Sequence, residues 1–250
     1  RYIDENRIQY PQLKDALIPW DQAIDIVVQA IKATKADRVG VIASPKLTNE
    51  DLFAIRKFFK DTLKTPHVDF RVPEAPGIDD GFLLKADRNP NTAGAAAILG
   101  TDGDTQKIIQ KAKSGELDVL YVFGQDLVKL FGKDTVAEIS KKVKMFVYQG
   151  SNINDTCSYA HVNLPSAVYA EKDGTFTNVQ QRVQRILPAF SALGEALADW
   201  QIVLLVSNIY GAPMAYKKSQ DVFTDLAGRI SSFSGMTYEA ISDQGMILKR

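Results

Sequence analysis

The chain has 250 residues, a hydrophobic content of 45% and equal numbers of basic and acidic side chains, 30 of each. This composition is typical of a soluble globular protein with a buried core, and the balanced charge excludes a global field that would attract nucleic acid or an anionic membrane. The longest apolar run, Ile202 to Val206, is too short to cross a bilayer. A single cysteine, Cys157, excludes an internal disulfide and cannot alone hold an iron–sulfur cluster or a structural zinc.

Helical and strand-like patterns alternate from residue 20 onward. Trp20–Lys35 carries apolar residues at helical spacing after Pro19, whereas Val39–Ala43 is a short apolar run typical of a buried parallel strand. Thr48 and Asp51 have the spacing of a capping box at the start of a second helix. Further strands are predicted near residues 67–72, 118–123 and 145–150, with helices at Asp104–Ser114, Asp134–Lys142, Gly194–Tyr210 and Ser219–Ile230.

Between Pro73 and Asn91 the chain is rich in Pro, Gly and Asp, which predicts a long ordered loop. Strands that alternate with helices of these lengths predict an α/β fold, doubly wound, with a mainly parallel sheet covered by helices on both faces. The expected organisation is an N-terminal extension at 1–19, a doubly wound α/β domain at 20–192 and a C-terminal helical segment at 193–250 that packs on it.

Three loops follow predicted strands, where ligands bind to doubly wound sheets. They are Ser44-Pro45-Lys46, Gly124-Gln125-Asp126 and Gly150-Ser151-Asn152. A nucleotide-type cofactor across these loops is one interpretation, and ordinary loops that every such sheet possesses are the other. No G-x-G-x-x-G follows a strand, and Gly132-Lys133-Asp134-Thr135 lacks the residues of a P-loop. Dinucleotide and ATP sites of those two kinds are therefore not expected.

Two single residues are candidates for a reactive or catalytic role. Cys157 is either a reactive thiol or a buried structural cysteine, and the lack of a closely flanking basic residue favours burial. His161 is either a catalytic base or a hydrogen-bonding residue, and the lack of a nucleophile motif favours hydrogen bonding. The sequence predicts no catalytic residue and no metal ligand in this chain.

The stretch Glu171–Ile186, EKDGTFTNVQQRVQRI, sets a glycine-containing turn between an acidic residue and two arginines. Such a turn suits close backbone approach to an anionic group, which is either a cofactor or another part of the chain. Asn154–Pro165, followed by Ala170–Asn178 and Arg182-Val183-Gln184, resembles the molybdopterin oxidoreductase family. Leu17–Ala23 and Ser44–Glu50 are similar to the beginning and the first strand-to-helix loop of that family's cofactor-cradling domain. The resemblance spans nearly the whole chain and implies a formate dehydrogenase/DMSO reductase-like fold.

A finer resemblance concerns Gly81–Asn91 and Asp199-Trp200, which look like the large iron–sulfur subunit of NADH-quinone oxidoreductase, respiratory complex I. It implies a non-catalytic scaffold that supports electron transfer from NADH to quinone, with the other subunits of the peripheral arm as partners. The expected location is then the cytoplasmic side of a bacterial membrane, or the matrix side in mitochondria. On this interpretation the chain holds no cofactor, and iron–sulfur clusters lie upstream of Arg1 in a longer parent subunit.

The alternative is the cofactor-cradling domain of a molybdenum or tungsten pterin oxidoreductase such as formate dehydrogenase, which would bind molybdopterin guanine dinucleotide. Where cofactor-binding members tend to carry Gly-x-Asn-Pro, this chain has Gly124-Gln125-Asp126-Leu127, so the Asp126 carboxylate is expected to repel a phosphate. The candidate cofactor-binding residues, vestigial on the scaffold interpretation, are Ser44, Gly124, Gln125, Asp126, Gly174, Thr175, Asn178 and Arg182.

Overall fold

The computed structural model describes residues 3–71, 79–80, 82 and 86–249. The predicted loop at 73–91 and the Gly81–Asn91 stretch therefore lie partly outside the described residues. Val72, the predicted end of the second strand, also lies outside them.

Helices and strands alternate through most of the described chain. The helices are α1 Trp20–Lys32, α2 Asn49–Ile55, α3 Thr92–Leu99, α4 Thr105–Ser114, α5 Leu127–Phe131, α6 Lys133–Lys142, α7 Asp199–Tyr210, α8 Ser219–Arg229 and α9 Tyr238–Ile241. The strands are β1 Gln12–Leu13, β2 Ala16–Leu17, β3 Val39–Ile42, β4 His67–Asp69, β5 Val119–Phe123, β6 Met145–Gly150, β7 Val162–Pro165, β8 Gly174–Thr177, β9 Arg182–Ile186 and β10 Met246–Ile247. Helix α2 continues as a π-helix over Arg56–Thr62.

Among the described residues, seven strands form one sheet in the order β2-β1-β7-β6-β5-β3-β4. Strands β3 to β7 pair in parallel, and β1 and β2 add an antiparallel edge. The strands predicted near 38–43, 67–72, 118–123 and 145–150 all belong to the parallel part, which confirms the predicted fold class. The chain passes from β3 to β4 on one side and returns to β5 on the other, so the strand order reverses between β3 and β5.

The core has two layers because the side chains of a strand alternate between the faces of a sheet. Along β5, Val119, Tyr121 and Phe123 face the layer that contains helices α1, α2 and α7. Leu120 and Val122 face the opposite layer, which contains α4 and α6. Every residue of β5 is buried, as expected for a parallel strand covered on both faces.

Local sequence signals define several helix ends. The predicted capping box at α2 is present: the Asp51 N–H donates to Thr48 Oγ1 at 3.2 Å, and the Thr48 N–H donates to Asp51 Oδ2 at 3.1 Å. Gly115 ends α4 in the left-handed conformation, with φ of 78°. The remaining predicted helices are found to within a few residues, with one exception.

The exception is α7, which begins at Asp199 rather than at Gly194. Gly194 has φ of 62°, outside the helical region. The C=O of Leu197 accepts a hydrogen bond from the Ala167 N–H at 2.8 Å, so this backbone runs beside the chain that follows β7. The helix prediction was wrong for residues 194–198 because apolar spacing there serves an extended connection.

Helix α3 was not predicted, since its sequence TAGAAAIL consists mainly of small residues and shows no clear apolar stripe. The stretch expected to be a glycine turn also differs. Gly174–Thr177 is strand β8 of a small antiparallel sheet, in the order β10-β9-β8, and Gly174 does not adopt a positive φ. The turn lies further on, where Gln181 has φ of 62°.

Candidate functional site

A cavity of about 480 Å³ opens at the carboxyl ends of the parallel strands. We call it the switch-point cavity; the strand ends contribute Ser44, Gly124, Gly150, Ser151 and Ser166 to its lining. Because Ser44 follows β3 and Gly124 follows β5, the cavity lies where the strand order reverses. This is the position at which open α/β sheets bind ligands.

Of the sequence-predicted candidates, the structure brings Ser44 and Gly124 together at this cavity. Ser44 is fully buried, and its Oγ accepts a hydrogen bond from the Lys46 N–H at 3.2 Å. Gly124 has φ of 60°, and its N–H donates to the Gln149 C=O at 2.8 Å. A β-carbon at position 124 would lie 3.7 Å from the Ser44 β-carbon, which is an ordinary contact. Space is therefore available for a side chain, and it is the positive φ that favours glycine here.

Gln125 and Asp126 follow Gly124 but do not line the switch-point cavity. The buried Gln125 side chain donates to the Ala43 C=O at 3.3 Å. Asp126 caps α5: its Oδ1 accepts from the Lys129 N–H at 3.2 Å and from Thr156 Oγ1 at 2.9 Å. The carboxylate thus caps α5 and does not line the switch-point cavity, so it makes no direct contact with a ligand bound there.

Gly174 and Thr175 are buried against α2 rather than exposed to a ligand. The Thr175 N–H donates to Glu50 Oε2 at 2.8 Å, and its hydroxyl donates to Glu50 Oε1 at 2.9 Å. A β-carbon at Gly174 would lie 2.9 Å from Glu50 Oε2, so this glycine is required for close approach of β8 to α2. Since side chains alternate along β8, Phe176 faces the other way and lines the cavity.

Asn178 and Arg182 also lie outside the cavity lining, at the turn between β8 and β9. Asn178 Oδ1 accepts from the N–H groups of Gln180 and Arg182, at 2.9 Å and 3.0 Å. Arg182 Nη1 donates to the Gln244 C=O at 2.9 Å, and Arg185 pairs with Asp173 at 3.0 Å. One arginine of this stretch thus reaches a backbone carbonyl, and the other reaches a carboxylate, within the chain itself.

Glu50 is fully buried at the junction of α2, β8 and α9. Its Oε1 also accepts from the Tyr238 hydroxyl at 2.8 Å, so its donors at this junction are neutral N–H and O–H groups. Burial raises the pKa of Glu50 to about 7, although these hydrogen bonds oppose the increase.

Lys172 lines the switch-point cavity, although sequence analysis did not select it. Its ammonium donates to Asp51 Oδ2 at 2.7 Å and to Asp199 Oδ2 at 2.8 Å, and all three side chains are buried. Burial alone would lower the pKa of Lys172, but the two aspartates outweigh burial and raise it. The signal in the sequence was its place next to the strand β8, in the stretch with the most specific family resemblance.

Cys157 and His161 lie in a separate cavity of about 770 Å³. Burial raises the pKa of the Cys157 thiol to about 11, which opposes reactivity. His161 Nδ1 accepts from the Phe146 N–H at 2.9 Å, so the predicted hydrogen-bonding role is confirmed. Within the described residues, no group of three or more His, Cys, Asp or Glu could hold a metal ion. The helices described here are all too short or too polar to span a membrane.

Residues 81–209 match the sequence profile of the family described as molybdopterin oxidoreductase. A Staphylococcus haemolyticus protein provisionally named formate dehydrogenase SH0748 is 34% identical over 139 residues, which cover 55% of this chain and 14% of that protein. Subunit alpha of F420-dependent formate dehydrogenase 2 from Methanococcus maripaludis is 36% identical over 138 residues, covering 54% of this chain and 20% of the subunit. The matched region is thus a small part of these relatives' lengths.

Among solved structures, acetylene hydratase from Pelobacter acetylenicus has a TM-score of 0.47 and 13% sequence identity, covering 60% of this chain and 22% of that chain. The two curated relatives carry formate dehydrogenase names, and neither supports the finer resemblance to the iron–sulfur subunit of NADH-quinone oxidoreductase.

Proposed function

Because the chain belongs to the molybdopterin oxidoreductase family, we propose that its switch-point cavity holds the nucleotide part of a pterin dinucleotide in an oxidoreductase of the formate dehydrogenase type. The observation that carries the proposal is the position of the cavity between the ends of β3 and β5, with Ser44 and Gly124 on its lining. Nucleotide cofactors bind at this point of open α/β sheets. The formate dehydrogenase names of the two relatives support the same reaction class.

The lining of the cavity suits a nucleotide. Its volume of about 480 Å³ falls within the range of small-molecule sites. Leu47, Val168 and Phe176 offer apolar surface for a heterocyclic ring, while Lys46 supplies a cation for a phosphate. The charge of Lys172 is already compensated by two carboxylates, so Lys46 is the cation we assign to the phosphate.

The residues of this chain would bind and orient the nucleotide and exclude water from it. When bound, the metal carried by the pterin supplies two-electron redox chemistry. The proposal assigns no catalytic residue to the described part of the chain, and places metal ligands and iron–sulfur clusters elsewhere in the parent protein.

A scaffold without pterin, in the large iron–sulfur subunit of NADH-quinone oxidoreductase, is the second candidate. One observation favours it: Thr175, Asn178 and Arg182 make their hydrogen bonds within the chain. The most specific family stretch thus has a structural role that needs no ligand. On this candidate the partners are the other subunits of the peripheral arm.

The two candidates differ in nucleotide binding. We expect the chain to bind guanosine 5′-diphosphate in a calorimetric titration, and Ser151→Trp to abolish binding because the indole fills the cavity. Ser158→Trp is the matched control, since Ser158 is exposed at the other cavity. Elemental analysis of the purified parent protein should show molybdenum or tungsten. A parent without either metal, together with a chain that ignores the nucleotide, would support the scaffold instead.

A further inference from the structure

Arg7 and Glu171 form a buried ion pair that joins the N-terminal segment to the chain before β8. Arg7 Nη1 lies 2.9 Å from Glu171 Oε1, and Arg7 Nη2 lies 2.7 Å from Glu171 Oε2. The exposed fractions of the two side chains are 0% and 1%. This parallel two-bond geometry fixes both distance and orientation, which a lysine cannot do.

Both partners also bind backbone from other segments. Arg7 Nε donates to the Ser151 C=O at 3.1 Å. Glu171 Oε2 accepts from the Val168 N–H at 2.9 Å, and Oε1 accepts from the Leu193 N–H at 3.1 Å. One ion pair therefore joins the N-terminal segment, the loop after β6, the chain after β7 and the connection before α7.

Two of these segments line the switch-point cavity. Ser151 lies on one part of the lining, and Ser166, Ala167, Val168 and Tyr169 lie on another. The Ile8 N–H also donates to the Ser151 C=O, at 2.9 Å. Since the ion pair holds the backbone of both segments, it sets the distance between them.

We infer that Arg7 is a positioning residue for the switch-point cavity, acting through Glu171 and the Ser151 carbonyl to hold the cavity in its nucleotide-binding shape. This inference rests on the proposed function. An apolar pair of similar volume would stabilise the fold about as well, whereas only directional bonds specify the spacing of the backbone they hold. Arg7 does not itself line the cavity, so its effect on a ligand is indirect.

The test compares variants that separate positioning from stability. Arg7→Met leaves Glu171 buried without its cation, whereas Arg7→Met/Glu171→Gln removes both charges and keeps an acceptor for one backbone N–H. The control is Arg38→Met/Asp118→Asn, which removes a two-bond ion pair at the amino ends of β3 and β5, whereas the cavity lies at their carboxyl ends. The measurements on the full chain are the melting temperature, the dissociation constant for guanosine 5′-diphosphate and amide hydrogen exchange.

We expect the double variant at positions 7 and 171 to recover most of the melting temperature lost in Arg7→Met. Its nucleotide affinity should remain at least tenfold weaker than that of the unmodified chain, and amides at 151–153 and 166–171 should exchange at least tenfold faster. The control variant should change neither the nucleotide affinity nor the exchange of these amides. Arg7→Lys, which keeps the charge but not the two parallel bonds, should weaken binding at least threefold.

Nucleotide affinity and exchange that return to normal in the double variant would overturn the inference, because the pair would then only stabilise the fold. If the unmodified chain does not bind guanosine 5′-diphosphate, the proposed function fails. Hydrogen exchange then still decides about Arg7: unchanged exchange at 151–153 and 166–171 in both the double variant and Arg7→Lys would overturn its positioning role.

Discussion

Glu171 and Glu50 are both buried carboxylates near β8, but their surroundings differ in one respect. Glu171 faces the Arg7 guanidinium, whereas Glu50 receives hydrogen bonds from Thr175 and Tyr238. Although burial alone would raise the pKa of Glu171, Arg7 and the backbone N–H groups of Val168 and Leu193 lower it below its ordinary value. Burial raises the pKa of Glu50 to about 7. Hydrogen bonds from neutral donors thus offset the effect of burial on the pKa less than a neighbouring cation does.

The two sites therefore give opposite pH dependences. Glu171 has a lowered pKa in the folded state, so its contribution to stability is present above its unfolded pKa and is lost as the pH falls. Glu50 has a raised pKa, so its contribution is present at acidic pH and is lost as the pH rises through about 7.

The largest loss of stability is expected when Glu171, like Glu50, is left without a neighbouring cation. Arg7→Met leaves a buried carboxylate without its cation, and removal of one partner from such a pair costs about 3–5 kcal/mol. Urea unfolding at pH 7 measures this loss. A loss below about 1 kcal/mol would show that the pair is more solvated than its burial indicates.

The next largest effect is a difference in how stability depends on pH between the unmodified chain and Glu50→Gln. Between pH 5 and pH 8 the free energy of unfolding of the unmodified chain should fall relative to Glu50→Gln, because the neutral amide has no proton to lose. A shift of the Glu50 pKa from 4.5 to about 7 corresponds to roughly 3 kcal/mol. Urea unfolding of both proteins across this pH range gives the difference. Parallel stability curves would contradict the assigned ionisation of Glu50.

A smaller effect is expected from crowding the Glu50 site. Gly174→Ala places a methyl group 2.9 Å from Glu50 Oε2 and 3.0 Å from Thr48 Cγ2, which should cost about 1–3 kcal/mol. Gly228→Ala is the control, because nothing lies within 4 Å of its β-carbon and the residue is within α8. Thermal unfolding should show a lower melting temperature for the first variant and an equal or higher one for the second.

The smallest effect concerns the turn beyond both carboxylates. Arg182→Met removes a partly exposed hydrogen bond to the Gln244 C=O and should cost about 0.5–1 kcal/mol, with nucleotide affinity unchanged. Thermal unfolding and titration with guanosine 5′-diphosphate measure the two quantities. Lost affinity at an unchanged melting temperature would instead place Arg182 in contact with the ligand.

The parallel sheet was predictable because each of its central strands is a short apolar run bounded by turn residues. The capping box at Thr48 is an equally local signal, since it depends on residues within one turn of the chain. Ser44 and Gly124 could be selected as cavity residues because their position after β3 and β5 follows from strand order alone.

What was missed depends on contacts between distant residues. Gly174 was expected to turn the chain, whereas its role is set by Glu50, which is far away in the sequence. The place of Asp126 outside the cavity lining depends on hydrogen bonds to Lys129 and to the distant Thr156. Arg7 lies in the predicted N-terminal extension, and no local pattern marks it as the partner of Glu171. Such pairings follow from tertiary packing, which local sequence patterns do not reveal.

Strand β8 lies at the margin of the small sheet, where unpaired backbone groups could recruit a strand from another molecule. Its outward N–H groups are already occupied: that of Thr175 by Glu50 Oε2 and that of Thr177 by Asn91 Oδ1, at 2.7 Å for the latter. The side chains of two other segments thus take the place of a neighbouring strand. These two N–H groups of the stretch with the strongest family resemblance are therefore not available to pair with a strand of another molecule.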